Sequence, residues 1–108
     1  MESPPKPLVS TRATEPELEE RIDAFVIGLG ETVDALQDAE AAGDHAVLAR
    51  RATALAVLAG ELGYPPLVEA AERIAQASRE HSPEAAHKAV AEVTDLAQRI
   101  RRGHRSAA

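Results

Sequence analysis

Four histidines are the side chains of this 108-residue sequence that are best suited to catalysis or metal binding: His45, His81, His87 and His104. No two of them are four residues apart, the spacing at which one helical face offers two imidazoles to a metal. The sequence also lacks a Gly-rich phosphate loop, a Ser-His-Asp set and a helical Glu-x-x-His pair. It has no cysteine, which excludes a thiolate metal site, a thiol nucleophile and a disulfide. We therefore expect no catalytic residues, no metal and no cofactor.

The composition favours a helical fold. Phe25 and Tyr64 are the only aromatic residues, whereas Ala, Leu, Val and Ile are abundant. This composition favours packed helices over a β-sandwich, in which β-branched and aromatic residues dominate. A chain of 108 residues is long enough for one domain with its own core. Residues 1–5 lack the basic and apolar regions of a secretory signal, and no stretch approaches the roughly 18 apolar residues of a membrane span. We expect a soluble, cytoplasmic protein without a membrane partner.

Acidic residues are concentrated in the first part of the chain. Residues 1–44 hold eleven acidic and three basic side chains, whereas residues 45–108 hold seven and nine, within a formal net charge of −6. Binding to nucleic acid requires a basic face, so we expect no nucleic-acid partner. Cations interact favourably with a helix C-terminus, which explains the late arginines better than a binding arm does: Arg99, Arg101, Arg102 and Arg105.

The first half of the chain predicts two helices with a break between them. Residues 14–17 have the pattern of a capping box, and apolar residues recur after it at helical spacing: Leu18, Ile22, Phe25, Val26, Leu29, Val33 and Leu36. Gly28 and Gly30 each weaken a helix by up to about 1 kcal/mol relative to Ala. We therefore expect a break near Gly30, which would separate a short first helix from a second helix that ends near Ala42.

Turn residues delimit three further helices. Gly43 and Asp44 combine a helix-ending glycine with an N-cap acceptor, so a third helix is expected from about His45 to Leu62. Its predicted core face consists of Leu48, Ala52, Leu55, Leu58, Ala59 and Leu62. The turn at residues 63–66 favours a fourth helix that ends near residue 81. Ser82-Pro83 then begins a fifth helix, which is expected to end before Gly103.

Short loops make successive helices antiparallel neighbours. The predicted fold is thus all-α: an antiparallel up-down-up-down four-helix bundle over residues 14–103, with the additional short N-terminal helix at one end or edge. Residues 1–13 are expected to form a flexible lead in which Leu8 and Val9 could lie against the domain. Residues 104–108 are expected to be a frayed tail.

The predicted third helix carries an unusual outward face, here called the outward strip. It consists of Ala46, Ala49, Arg50, Thr53, Ala56, Val57, Gly60 and Tyr64. An ordinary solvated face carries Lys, Glu and Gln, so a small and apolar strip favours a partner surface. The alternative is that the first helix or the N-terminal lead covers it. Tyr64 is either an anchor packed on the Pro65-Pro66 turn or an edge residue of the strip.

These segments resemble the histidine-containing phosphotransfer (HPt) domain family over about residues 15–102. The resemblance rests on Phe25-Val26, Val33, Leu36, residues 41–44, Leu48, Ala52, Leu55, Ala59, residues 63–66 and residues 69–71. In that family the reactive helix reads Ala-His-x-Leu-Lys-Gly-x-Ala, followed by a glycine. The scaffold positions of this pattern match at Ala52, Leu55, Ala59 and Gly63. The chemical positions differ, because Thr53 stands at the phospho-accepting histidine, Ala56 at the lysine and Val57 at the glycine.

The three departures remove the transfer chemistry that the resemblance implies. A neutral imidazole attacks an aspartyl phosphate directly, whereas the Thr53 hydroxyl needs a general base, and none lies one turn away on its helix. The family's lysine supplies a cation that stabilises the phosphoryl oxygens, and Arg50, from the preceding turn, could replace that cation only in part. The resemblance therefore implies a catalytically inactive, pseudo-phosphotransfer module of a two-component phosphorelay. Such a module would dock a response-regulator receiver domain or a histidine kinase without accepting phosphate.

Two alternatives stay open at this point. The first is a general helical interaction or oligomerisation module, in which the outward strip self-associates; a monomer or weak homodimer is expected. The second is a phosphotransfer protein with His45 as a displaced acceptor, because the N-terminal end of a helix favours a neutral imidazole.

Overall fold

The chain forms four α-helices in a computed structural model that describes the backbone of residues 6–107 and the side chains of residues 6–104. The helices are α1 (Glu19–Ala41), α2 (His45–Glu61), α3 (Pro65–Arg79) and α4 (Pro83–Ala107). A 3₁₀ turn, Pro16–Leu18, precedes α1. Strands are absent from residues 6–107, so the all-helical prediction is confirmed. Among the same residues, no helix combines the length and apolar character that a bilayer crossing requires.

Each helix packs against two others around one shared core. α2 contacts α3, α3 contacts α4, α4 contacts α1, and α1 contacts α2, which is the closed ring of neighbours found in a four-helix bundle. Leu29, Leu67 and Ile74 are fully buried in this core. Ala52 and Ala71 are fully buried as well, and their small side chains allow α2 and α3 to lie close together.

α1 is continuous through Gly28 and Gly30, so the predicted break near Gly30 is wrong. The additional short N-terminal helix is therefore not a separate element of the described residues, where only the 3₁₀ turn precedes α1. Each glycine costs up to about 1 kcal/mol, but core residues lie on both sides of the pair. Leu29 is fully buried and Val33 nearly so, and the burial of such a side chain contributes roughly 1.5–3 kcal/mol. Tertiary packing thus outweighs local helix propensity here.

The turns between the helices form as the sequence predicts. Asp44 caps α2, since its carboxylate accepts the Val47 N–H at 3.1 Å. Gly43 and Gly63 follow α1 and α2 with φ values of 67° and 83°, in the left-handed region that ends helices and favours glycine. The hydroxyl of Ser82 accepts a backbone N–H at 3.4 Å in the first turn of α4.

Two predicted helix ends are wrong. α4 does not end before Gly103 but continues to Ala107, because Ile100 and Gly103 are both buried and hold this part of the helix on the bundle. The predicted frayed tail is thus helical up to residue 107. The capping box at residues 14–17 does not form, since the 3₁₀ turn begins at Pro16 with Glu15 as its N-cap and no side-chain cap hydrogen bond.

Residues 6–13, part of the expected flexible lead, form an N-terminal strap across one end of the bundle. The Leu8 N–H donates to the Arg99 carbonyl of α4 at 3.0 Å, and Arg99 Nε donates to the Lys6 carbonyl at 2.8 Å. Leu8 packs on the core, whereas Val9 is half exposed. Gly103 allows this close approach, because a Cβ there would lie 2.4 Å from the Leu8 carbonyl oxygen.

The strap also satisfies carbonyls at the end of α2, which have no partner inside the helix. Three donors reach them: Ser10 Oγ donates to Leu62 O, Thr11 N–H to Gly63 O and Arg12 Nη1 to Glu61 O. Arg12 is held in turn by Glu15 through two hydrogen bonds of 2.7 Å. These bonds lower the pKa of Glu15, because they favour its ionised form. The strap is therefore attached to both α2 and α4.

Candidate functional site

The candidate site lies on α2, at its boundary with α3. Thr53 is exposed, and Val57, one turn later, has 60% of its surface exposed. These two residues and Ala56 form the α2 wall of an open groove of about 780 Å³, here called the α2–α3 groove. The α3 wall is mainly polar and consists of Glu69, Glu72, Arg73, Ala75, Gln76 and Arg79.

The structure divides the outward strip into exposed and buried members. The exposed members are Ala46, Arg50, Thr53, Val57 and Gly60. Ala49 is half-buried. Ala56 is 9% exposed and Tyr64 is 2% exposed, so the assignment of these two to an open docking face is wrong. Ala56 is buried because it follows Ala52 by four residues and therefore lies almost directly above it on the core side of α2. The strap does not cover Thr53 or Val57, because its contacts lie at the far end of α2.

Tyr64 is an anchor in the core rather than an edge residue of the strip. Its ring stacks on Phe25 with centroids 5.6 Å apart and an interplanar angle of 26°. Burial raises the pKa of the Tyr64 hydroxyl, because the phenolate would lose its hydration there. The chain's two aromatic side chains thus join the α2–α3 turn to α1.

Leu58 was assigned to the core face and is 38% exposed instead. It follows Ala52 by six residues, which places it about 120° around the helix from that core position. There it borders a smaller groove of about 220 Å³ between α1 and α2, together with Arg51 and Ala54. α2 therefore exposes apolar side chains on two sides: Val57 toward α3 and Leu58 toward α1.

The Thr53 hydroxyl is held by groups that cannot activate it. It donates to the Ala49 carbonyl at 2.9 Å and accepts from Arg79 Nη2 at 3.4 Å. A carbonyl oxygen does not take up a proton near neutral pH, and a threonine without a general base is a poor nucleophile. Glu69 and Glu72 line the same groove, but their carboxylates make no hydrogen bond to Thr53 among the described side chains.

Arg79 is a site residue that the sequence reasoning missed. The signal was the short turn at residues 62–64, because helices joined by a tight turn place positions equally distant from it side by side. Thr53 lies eleven residues before Tyr64, and Ala75 lies eleven after it. Arg79 follows Ala75 by one turn, and a helical side chain leans toward the N-terminus, so its guanidinium reaches back to Thr53.

The arginines around Thr53 differ in whether they form an ion pair. Arg50 is exposed and has no ion pair within residues 6–104, and within the same residues the Arg79 side chain donates a hydrogen bond to the Thr53 hydroxyl and has no ion pair. Arg73 is bound to Glu92 of α4, and this hydrogen bond raises the pKa of Arg73. Arg50 and Arg79 are therefore the cations available to bind acidic or oxyanion groups of a partner.

His45 begins α2, eight residues before Thr53, or about 12 Å along the helix axis. Its ring meets that of His81 edge to face, with centroids 4.8 Å apart and planes at 76°. Its Nδ1 is buried and has no hydrogen-bond partner among the described residues. This nitrogen is not accessible to the phosphoryl group of a partner, and His45 does not line the α2–α3 groove.

The two histidines of α4 each contact a carboxylate of α1. His87 Nδ1 lies 2.7 Å from Glu40 Oε2, and His104 Nε2 lies 3.0 Å from Asp23 Oδ1. In the part of the chain that the structure describes, no three potential metal ligands converge. These histidines join helices and form no common site with Thr53.

Comparison of the chain with models of protein families, with characterised proteins and with solved structures found no match. The binding chemistry of the site therefore follows from its own residues. An open groove with an exposed valine, a threonine whose hydroxyl contacts no general base among the described side chains, and two available arginines suits the non-covalent binding of a protein surface.

Proposed function

We propose that the chain is an HPt-like, pseudo-phosphotransfer module of a two-component phosphorelay, which docks a receiver domain or a histidine kinase through α2 without accepting phosphate. The observation that carries the proposal is the 60% exposure of Val57 beside the inactive Thr53. A branched apolar side chain gains free energy when a partner covers it, and the α2–α3 groove gives a partner room to approach. The same proposal places the protein in the cytoplasm.

The architecture that we propose with this function is an antiparallel up-down-up-down bundle. The side-chain pairs between α2 and α3 support it: Gly60 lies against Val68, and Thr53 contacts Arg79. Residue numbers fall along α2 as they rise along α3 in these two pairs, as expected for antiparallel neighbours. Connections of only three residues separate successive helices, which favours the same arrangement.

The substitutions at the chemical positions support docking without transfer. Ala56, at the position of the family's lysine, is buried and supplies no cation. Arg50 and Arg79 provide positive charge on either side of Thr53 instead. Two exposed cations beside an apolar residue are suited to a partner surface that combines acidic side chains with an apolar patch.

The direct experiment measures binding and phosphate transfer separately on the native chain. Receiver domains and histidine kinases from the same organism are titrated with the chain, and their phosphorylated forms are incubated with it. We expect binding and no acid-labile phosphate on the chain. Val57→Glu should weaken binding by about tenfold or more, because it buries a charge in the interface. Ala91→Glu, at an exposed alanine of α4, is the matched control and should bind as the native chain does.

A restored variant tests the family assignment itself. Thr53→Ala should leave binding largely intact, whereas Thr53→His should accept phosphate from a phosphorylated receiver if the chain docks as an HPt domain does. Gly60→His, at another exposed position of α2, is the control and should remain unphosphorylated. Acid-labile phosphate on the native chain that is lost in His45→Ala would instead establish the displaced acceptor.

A general interaction or oligomerisation module is the second candidate, and the exposure of Val57 also suits it. In that case the outward strip of one copy binds that of another. Sedimentation at increasing concentration separates the two functions. Self-association that Val57→Glu abolishes favours the second candidate, and a chain that does not associate through the outward strip favours the first.

A further inference from the structure

We propose that a second copy of this chain docks on the face formed by α1 and α2, to give a two-fold symmetric dimer. This α1–α2 face consists of Ala24, Gly28, Glu31 and Ala35 of α1 and Arg51, Ala54 and Leu58 of α2. It lies on the side of α2 opposite the α2–α3 groove. The inference is independent of the proposed function, because it does not involve Thr53 or the groove beside it.

The centre of the α1–α2 face is apolar and open. Leu58 is 38% exposed, and the shallow groove beside it is bordered by Ala35, Ala54 and Thr32. A Cβ placed on Gly28 would meet nothing within 4 Å. Small residues on both helices allow another helix to approach closely, and the exposed part of Leu58 gains free energy when it is covered.

The two halves of the face carry opposite charge. On α1 the acidic side chains beside it are Glu31 and Asp38, and on α2 the basic side chain is Arg51. All three are exposed, and none of them has an ion pair within residues 6–104. At the level of Arg51, the α1 half of the face is therefore negative and the α2 half positive, and no ion pair among the described residues neutralises either charge.

The position of Arg51 along the bundle determines which residues of a second copy it can contact. Ala35 lies eight residues before Gly43 and Arg51 eight residues after it, and both border the same groove, so they lie at about the same level of the bundle. Glu31 precedes Ala35 by four residues and Asp38 follows it by three, which places a carboxylate one helical turn to each side of that level. An α1 helix that faces Arg51 at this level presents two carboxylates within reach of its long side chain.

Only one orientation of a second copy uses this pattern. A two-fold axis parallel to the helices places α1 of each copy against α2 of the other, at unchanged levels. Arg51 of each copy then meets Glu31 and Asp38 of the other, and Leu58 meets Gly28 and Ala24. A two-fold axis across the helices would place α1 against α1, where the acidic side chains repel one another. The charge pattern therefore specifies a second copy and its orientation.

Charge reversal tests this arrangement, with dissociation measured by sedimentation equilibrium. The native chain should dimerise reversibly, and Arg51→Glu alone and Glu31→Arg alone should each dissociate about tenfold or more easily. An equimolar mixture of the two variants should form a heterodimer about as stable as the native dimer. In the mixture both contacts again join a carboxylate to a guanidinium, which a contact within one chain could not achieve.

A second pair of variants tests the apolar part of the face. Ala54→Glu should abolish dimerisation, whereas Gly60→Glu, at an exposed position about 120° around α2 from Ala54 and toward α3, should leave it unchanged. Circular dichroism establishes that each variant is folded before it is compared. A native chain that is monomeric at about 1 mM, a mixture that fails to associate, or dissociation by Gly60→Glu but not Ala54→Glu would each overturn the proposal.

Discussion

The inward and outward sides of α2 differ in what determines their residues. The inward side is fixed by packing, since Leu48, Ala52 and Ala59 are almost completely buried. On the outward side Thr53 and Val57 are exposed, and among the described residues the Thr53 hydroxyl makes two hydrogen bonds. The buried residues of α2 stabilise the fold, whereas the exposed residues Thr53 and Val57 contribute little to it. The outward side is therefore where binding can be changed without loss of the fold.

The largest expected difference between the two sides is in stability. Leu48→Ala should lower the free energy of unfolding by about 2–5 kcal/mol, because it leaves a cavity in the core. Val57→Ala should change it by only about 0.5 kcal/mol or less, as expected for an exposed position. Denaturant unfolding of the two variants measures both. Similar losses in the two variants would show that Val57 is covered by the protein itself.

The next largest effect concerns the strap, which leaves Thr53 and Val57 uncovered. Gly103→Ala should destabilise the protein by about 1–3 kcal/mol, because the added methyl group collides with the Leu8 carbonyl. Gly28→Ala is the matched control and should be neutral or stabilising, since its Cβ meets nothing within 4 Å. Partner binding through Val57 should persist in both variants. Loss of binding in Gly103→Ala would place the strap in the docking surface.

Tyr64 gives a smaller effect, visible only at alkaline pH. Because the folded state raises its pKa, the stabilising contribution is complete below the unfolded pKa of about 10 and is lost as the pH rises through the folded value. Unfolding free energies should therefore fall in that range more steeply for the native chain than for Tyr64→Phe. As the chain has a single tyrosine and no tryptophan, the ultraviolet absorbance of the phenolate reports its ionisation directly. Equal slopes for the two proteins would contradict the burial of Tyr64.

The smallest effect is expected at acidic pH, in the exposed Arg12–Glu15 pair. The folded state lowers the pKa of Glu15, so the pair is complete above the unfolded pKa of about 4.3 and is lost as the pH falls through the folded value. Hydrogen exchange at the Thr11 amide, which donates to Gly63 in the strap, should accelerate in that range relative to α3 amides. The acceleration should be absent in Glu15→Gln, where the pair does not titrate.

The sequence predicted those parts of the molecule that local chemistry determines. The Asp44 cap and most of the α2 core stripe follow from capping preference and helical periodicity, which involve residues within a few turns of each other. Leu58 and the continuity of α1 were mispredicted because both depend on packing between helices. Arg79 depends on the register between α2 and α3, and the strap depends on contacts between residues about 50 to 90 positions apart. The periodicity of a single helix does not indicate which residues of another helix or segment it contacts.

The central claim is that α2 binds a partner through Val57 and transfers no phosphate. One measurement tests it most directly: a phosphorylated receiver domain is titrated with the native chain and with Val57→Glu, and binding and the phosphate on each protein are followed together. We expect the native chain to bind at least about tenfold more tightly than Val57→Glu and the phosphate to stay on the receiver. Equal affinity of the two chains, or phosphate on the native chain, would contradict it.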